Sequence, residues 1–321
     1  MTQNSAQAQN TQDQPRRFTL MLTGEDVLDE QDDNQARQGL PHERYLLGDQ
    51  VPLAPILLLG QSTINFDPNL EIACLQPVHL HATRDHLILM GQNQIDLTET
   101  ESTQLLNVAL PLLQEDFEHQ VLFHNQHYWF IPVGPFNKLA SYSVDQAQGR
   151  NIDWWMPHDT HEQGIAKRWR KLQNEIQMLW HIDSVNEERQ ARGLPSINSI
   201  WISGIGRLRD VKVPLVFGQA SKIVGQHPLL SGLAKFCGIQ FSNSVSTASL
   251  DGAFAWLDKP EALWPQLVNQ FLNKQLDEVM IIDFPEGRTR ERVFTLHDIQ
   301  KKSWMFWRKP EVLTWKDAIQ S

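Results

Sequence analysis

Ile165, Trp169, Leu172, Ile176 and Leu179 recur at intervals of four and three residues, which places them on one face of a long helix beginning at 165. Lys167, Arg168, Arg170 and Lys171 fall on the other face. That spacing is the spacing of a core helix, not of a nucleic-acid reader. A second helix is predicted over 97–114, with Leu105, Leu106, Val108, Ala109, Leu112 and Leu113 on its apolar side. Thr98 followed three residues later by Glu101 supplies the capping box that would start it. Period-two patterning predicts a strand at 17–22 and two strands within 78–90 around a turn at Thr83-Arg84-Asp85. In the first of that pair, Val78, Leu80 and Ala82 alternate with His79 and His81. Further strands are predicted at 120–123 and 127–133. Residues 51–59 are apolar but interrupted by Pro52 and Pro55, which reads as a helix start or a packed loop.

The second half alternates more regularly. Strands are predicted at 199–202, 213–217, 253–257 and 278–284. Helices are predicted at 228–236, stopping near Gly238, and at 260–276, with Pro260 at its start. The run EVMIIDF at 278–284 is apolar almost throughout, as a parallel strand covered on both faces would be. Strands alternating with helices predict an α/β sheet. The polar stretch 145–151 is the natural place to divide the chain. The expected organisation is a disordered lead-in at 1–15, a smaller α+β domain at 16–150 and an α/β domain at 151–315. The acidic, Gln-rich stretch 25–38 reads as a solvated loop or a frayed helix.

Composition narrows the function classes. The chain has 321 residues, a formal net charge of −10 and 41% hydrophobic residues, so it can bury a sizeable core and lacks the basic footprint of a duplex-binding protein. Cys74 and Cys237 are the only cysteines, too few for a disulfide framework or a Cys-based zinc motif. With no apolar stretch in the first fifteen residues and no run long enough to span a bilayer, the expectation is a cytoplasmic protein with neither nucleic-acid nor membrane partners. Eleven tryptophans against three tyrosines point first to buried anchors, second to an interaction surface. Trp304, Trp307 and Trp315 in the C-terminal tail are the candidates for partner docking.

Several clusters have residue types that could carry chemistry. Ser203-Gly204-Ile205-Gly206-Arg207 is a Gly-x-Gly at a strand end, where backbone N–H groups can approach an anion. Arg189, Arg192 and Arg207 are near enough in sequence to add charge. His158-Asp159-Thr160-His161 is the densest ligand-like cluster, and Asp159 or Thr160 is equally suited to cap the following helix. Asp283 and Glu286 follow the most apolar strand. His79 and His81 share a strand face with His86 nearby, a metal pair or simply a wet face. Ser62 is a conceivable nucleophile with no base marked for it.

The stretch 174–206 resembles the RpfE-type regulatory protein family of proteobacteria, whose chains are similar to archaeal-type cofactor-independent phosphoglycerate mutases. The residues that carry the resemblance are Asn186 and Arg189 in VNEER, Gly193, Pro195, Asn198, Trp201, Gly204 and Gly206, supported by VHLHATRDHLILM, LTETESTQLL and HYWFIPV. It implies an alkaline-phosphatase-like mutase core with a smaller α+β insert-like domain. Members of that superfamily use a metal-activated Ser or Thr with two divalent ions held by Asp and His. Here the expected Asp-x-x-Gly-His reads Asp283-Phe284-Pro285-Glu286-Gly287-Arg288, and Ser203 stands where an Arg is expected. The resemblance therefore implies a non-catalytic, regulatory protein with no cofactor. Its ligand would be a small phosphorylated or carboxylate molecule or a protein partner, and its binding residues Asn186, Arg189, Asn198, Ser203, Gly204, Gly206 and Arg207. The alternative is a divergent phosphomutase or phosphatase using a divalent metal, with His158, His161, Asp283 and Glu286 as the metal candidates.

Overall fold

The computed structural model describes residues 15–26, 37–245, 250–257, 259–301 and 311–320. The strands in chain order are β1 (Arg17–Met21), β2 (Ile72–Ala82), β3 (Leu87–Met90), β4 (Phe123–His124), β5 (Trp129–Pro132), β6 (Leu139–Ala140), β7 (His158–Asp159), β8 (Ser199–Gly206), β9 (Lys222–Gly225), β10 (Gln240–Ser242), β11 (Ala253–Trp256), β12 (Glu278–Asp283) and β13 (Arg290–Thr295), followed by the short pair β14 (Gln300–Lys301) and β15 (Glu311–Val312). The helices that organise the layers are α1 (Pro41–Leu47), α2 (Leu53–Gln61), α3 (Gln92–Ile95), α4 (Glu99–Phe117), α5 (Val144–Ala147), α6 (Ile165–His181), α7 (Ser184–Ala191), α8 (Pro228–Cys237) and α9 (Trp264–Leu272).

The strands form two main sheets. The first has the order β10-β9-β11-β1-β12-β13, parallel except for β13 at the edge. The second is antiparallel, with β2 at its centre between β3, β5 and β8. Strand pairing thus crosses the expected division at 150 in both directions. β1, from the first segment, pairs with β11 and β12 in the middle of the parallel sheet. β8, from the second, pairs with β2 in the antiparallel one. The strands of the antiparallel sheet, between residues 72 and 206, fall in the chain between β1 and the remaining strands of the parallel sheet.

The molecule is layered helix, sheet, helix, sheet, helix. The central apolar layer joins Met21, Phe254, Trp256 and Ile282 of the parallel sheet to Ile72, Cys74 and Phe130 of the antiparallel sheet through Leu58 of α2 and Leu230 of α8. The other face of the parallel sheet (Phe18, Leu20, Ala255, Ile281) packs on Trp264, Leu267 and Phe271 of α9. The other face of the antiparallel sheet (Leu75, Trp129, Ile200, Ile202) packs on α4 and α6. Both faces of β12 are covered, as its unbroken apolar run predicts. Tryptophan serves the core: Trp129, Trp155, Trp169, Trp180 and Trp201 are fully buried.

Three local expectations change. The buried stripe of α6 is Ile165, Trp169, Leu172, Ile176 and Trp180; Leu179 is partly exposed. Gln173 takes a buried place on the same helix because its Nε2 donates to Ser199 Oγ and Ile200 O, both at 2.9 Å. Residues 213–217 are not a strand, since Leu215–Gln219 form a 3₁₀ turn, and the strand is β9, a few residues later. The helix predicted over 260–276 is shorter, a 3₁₀ turn followed by α9.

The capping box of α4 is present. Glu101 N donates to Thr98 Oγ1 at 3.2 Å, and Glu101 Oε2 accepts from Thr98 N at 2.8 Å. Glu101 also binds Arg189 Nη1 at 2.9 Å and Arg192 Nη2, so this cap ties α4 to α7. Thr98→Ala is expected to lower stability by about 1 kcal/mol. Urea denaturation checks this, and an unchanged midpoint would show that the cap is dispensable.

Candidate functional site

A parallel sheet commonly builds its site beyond the carboxyl ends of its strands, where side chains and helix N-termini converge. Here that edge carries Thr23 and Gly24 after β1, Gln226 and His227 after β9, and Trp256 at the end of β11. Trp256 Nε1 donates to Thr23 Oγ1 at 3.0 Å. The His227 ring stacks on Trp256 with centroids 4.2 Å apart, and the His42 ring lies 4.8 Å from the same indole. His227 Nε2 is 3.6 Å from Asp145 Oδ2, at the start of α5. His42 Nδ1 meets the backbone of Gly24 at 3.1 Å.

Beside His42, Glu43 is buried inside the chain. Its Oε2 accepts from Leu40 N at 2.6 Å and from Ser143 Oγ at 3.2 Å. Burial first, and the Asp145 charge second, push this carboxyl up to about 8. Burial first, and His227 second, pull His42 down to about 4. Near neutral pH the seam therefore holds a protonated acid and a neutral imidazole. Asp26 and Gln146 complete it: Gln146 Nε2 donates to Asp26 Oδ2 at 2.7 Å, and Arg44 Nη2 to Asp26 Oδ1 at 3.1 Å.

Two cavities flank this polar seam. The larger, about 550 Å³, is lined by Gln226, His227 and Pro228 from the parallel sheet side, by Gln92, Asn93 and Glu99, and by the turn Asn125–Tyr128 with Gln61. Burial raises the Tyr128 phenol above its ordinary value and lowers the His127 imidazole below its own. The smaller, about 240 Å³, is lined by Gly39, Val51, Glu71, Lys138, Ser143 and Gly204 among others. Val51 has φ +44°, a left-handed conformation unusual for a β-branched residue. Ser143, on the smaller cavity, bonds Glu43; His227, on the larger, lies next to Asp145.

The binding residues expected from sequence are not brought together. Asn186 is buried, its Nδ2 donating to Trp180 O and Ile197 O and its Oδ1 accepting from Ile197 N. The Arg189 guanidinium is wholly buried against Glu101 and the carbonyls of Ile95, Asp96 and Pro195, and burial lowers its pKa. Asn198 pairs with both backbone groups of Leu80. Ser203 Oγ contacts Gln76 Oε1 at 3.3 Å, and Arg207 Nη2 donates to Glu71 Oε2 at 3.0 Å. The arginines expected to supply charge are thus already engaged.

Gly204 and Gly206 have a packing reason. A Cβ on Gly204, which has φ +63°, would lie 2.7 Å from Leu53 Cβ and 2.8 Å from Ala54 N; one on Gly206 would lie 2.4 Å from Pro52 Cβ. The glycines let the first turn of α2 close onto β8. Of the seven expected residues, Gly204 alone lines one of these two cavities.

The metal candidates are also dispersed. Asp283 Oδ1 accepts from Arg290 Nε at 2.9 Å, while its Oδ2 accepts from Arg290 Nη2 at 2.6 Å and Arg292 Nη2 at 2.8 Å. Glu286 is exposed in a left-handed turn. His158 lies beside Tyr142 on β7, His161 is exposed, and Asp159 caps α6 by accepting from Gly164 N and Ala166 N. Among the described residues no group of three His, Cys, Asp or Glu side chains is arranged to hold a metal ion, so the donor set does not fit the divalent pair that the resemblance would require. His79 Nδ1 engages Ser196 O at 2.7 Å, and Ser62 Oγ donates to Leu58 O at 2.8 Å at the end of α2. Trp304 and Trp307 lie outside the described residues; Trp315 packs on Trp264 with centroids 5.6 Å apart.

No family model matches the chain, and no curated protein matches it. Among solved structures it is similar to the cofactor-independent phosphoglycerate mutase from Thermoplasma acidophilum, at 12% identity over 87% of this chain and 89% of that one, with a TM-score of 0.36. It is also similar to the PH0037 protein from Pyrococcus horikoshii, at 11% identity over 95% and 93%, with a TM-score of 0.42. No residue role is transferred from either. Among the described residues no helix is long and apolar enough to cross a membrane.

Proposed function

We propose that this protein is a non-catalytic, regulatory binding protein that takes a small polar ligand into the larger cleft at the carboxyl edge of its parallel sheet. The observation that carries the reading is the state of the strand-end carboxylates. Asp283 ends β12 and is held by two guanidinium groups; Asp26, five residues past β1, is held by Arg44 and Gln146. A carboxylate whose oxygens already accept charge-assisted hydrogen bonds is a poor metal ligand or general base. The cleft, by contrast, is open, polar and within the size range of small-molecule sites.

The test is a turnover assay on the full chain. With Mn²⁺ or Mg²⁺, isomerisation of 3-phosphoglycerate and hydrolysis of p-nitrophenyl phosphate are expected at the level of the protein-free blank. Metal-stimulated turnover that a folded Asp283→Asn variant loses would make the protein a divergent phosphomutase or phosphatase instead.

A further inference from the structure

The cleft beside His227 has a lining unusual in one respect: six carboxamides, from Gln61, Gln92, Asn93, Asn125, Gln126 and Gln226, and no Lys or Arg. Its carboxylate is Glu99, and His127 and His227 supply two imidazoles. Two of these amides are fixed by one end, which decides what the other end offers. Gln61 Oε1 accepts from Asn125 Nδ2 at 3.2 Å, so Gln61 presents its Nε2 donors. Gln126 gives its Nε2 to Leu97 O, so it presents its Oε1 acceptor. Asn125 itself is locked, its Oδ1 accepting from His127 N at 3.0 Å and Tyr128 N at 2.9 Å. The wall therefore holds both a donor and an acceptor amide end, with the Glu99 carboxylate as a further acceptor.

The dianion of a phosphate ester, or a carboxylate, only accepts hydrogen bonds, so it would find donors at Gln61 but meet repulsion at Gln126 Oε1 and Glu99, with no Lys or Arg in the lining to offset it. A hydroxyl both donates and accepts, and an array of hydroxyls matches mixed amide ends. We infer that the cleft selects an uncharged polyhydroxylated ligand, a sugar or polyol, and not a phosphorylated one. This rests on the reading of the cleft as the binding site and names its ligand class.

The experiment follows the side-chain carboxamide resonances of ¹⁵N-labelled full-length protein by NMR. The probes are an equimolar mixture of D-glucose, D-galactose and D-ribose at high millimolar concentration and, separately, inorganic phosphate. The sugars are expected to move the Gln61, Gln126 and Gln226 signals, with phosphate leaving them in place. Gln126→Leu is expected to weaken the sugar response about tenfold, the loss of one half-buried hydrogen-bonding partner. Gln226→Leu, at an exposed position, is the second variant should the first fail to fold, and a weakened response is expected there too. If phosphate moves these amides and the sugars do not, the ligand class is wrong while the cleft stands as the site. If neither probe moves them, or if the sugars act only elsewhere, both the class and the cleft reading fall.

Discussion

Gly232→Val is expected to prevent stable folding or to remove roughly 4 kcal/mol or more of stability. Gly232 lies on the face of α8 that crosses α2, in the layer between the two sheets. A Cβ there would stand 2.0 Å from Ile56 O and 2.8 Å from Ile56 C, both backbone atoms of the facing helix. The contact is reciprocal, because a Cβ on Gly60 of α2 would lie 2.6 Å from Gly232 N. Neither helix can retreat without opening a gap against its sheet. Even Gly232→Ala should destabilise, by about 1–3 kcal/mol as overpacking does. Helix propensity alone would favour Ala over Gly by about 1 kcal/mol, so the sign of the change separates packing from propensity. Gly218, whose added Cβ meets nothing within 4 Å, is the internal control, and Gly218→Ala should be near neutral. Denaturant midpoints for the three variants decide the matter. A Gly232→Ala protein more stable than the parent would show that the two helices are not pressed together.

How much of this was legible depends on whether the deciding contact is local. The Thr98–Glu101 cap and the α6 stripe from Ile165 to Ile176 are written at spacings of three and four residues, and β12 as a continuous apolar run; the structure has all three, with Trp180 in place of Leu179 at the end of the stripe. The sheet to which a strand belongs is not written that way. β1 resembles any short apolar strand, yet its partners are more than two hundred residues away. β8 looks like a parallel strand ending in Gly-x-Gly, and its glycines answer to α2, on the far side of the antiparallel sheet from α6.

The site was harder still. Asn186, Arg189 and Asn198 are expected as binding residues through the family resemblance. Their side chains close backbone groups of a tight connection, and sequence does not distinguish such a residue from one that binds a ligand. His42, Glu43, Asp145 and His227 carry no sequence signal, since no spacing relates them. One usable signal is Gly225-Gln226-His227-Pro228, a strand exit into a helix with Pro at its first position, which the apolar run at 213–217 obscures.

Stability should fall as pH rises from about 6.5 to about 8, and Glu43→Gln should abolish that fall. Glu43 is held at about 8 in the folded chain, against an ordinary value near 4.5. Between those values the folded state keeps a proton that the unfolded state has lost. Folding then binds a proton, and stability decreases with pH by about 1.4 kcal/mol per unit until the folded carboxyl ionises. The contribution is fully favourable below 4.5 and lost by about 8. His42 has the opposite sense. Its folded value is about 4, so it stays neutral where the unfolded imidazole takes a proton, and it reduces stability as pH falls from about 6.5 to 4. The two oppose each other between 4.5 and 6.5, which leaves the window above 6.5 to Glu43 alone within this pair. The groups that bear on Glu43 are Asp145 and Asp26, which repel its charge, and the Leu40 N–H and Ser143 hydroxyl, which favour it. Glutamine retains an acceptor oxygen for Leu40 N and cannot ionise. At pH 8 the variant should gain several kcal/mol over the parent, and at pH 4.5 the two should be nearly equal. Denaturant titrations of both proteins at pH 4.5, 6.5, 7.25 and 8 measure the difference directly. A difference that stays constant across the series would mean that Glu43 is ionised in the folded chain, and that the seam beside the cleft holds a buried charge in place of a buried acid.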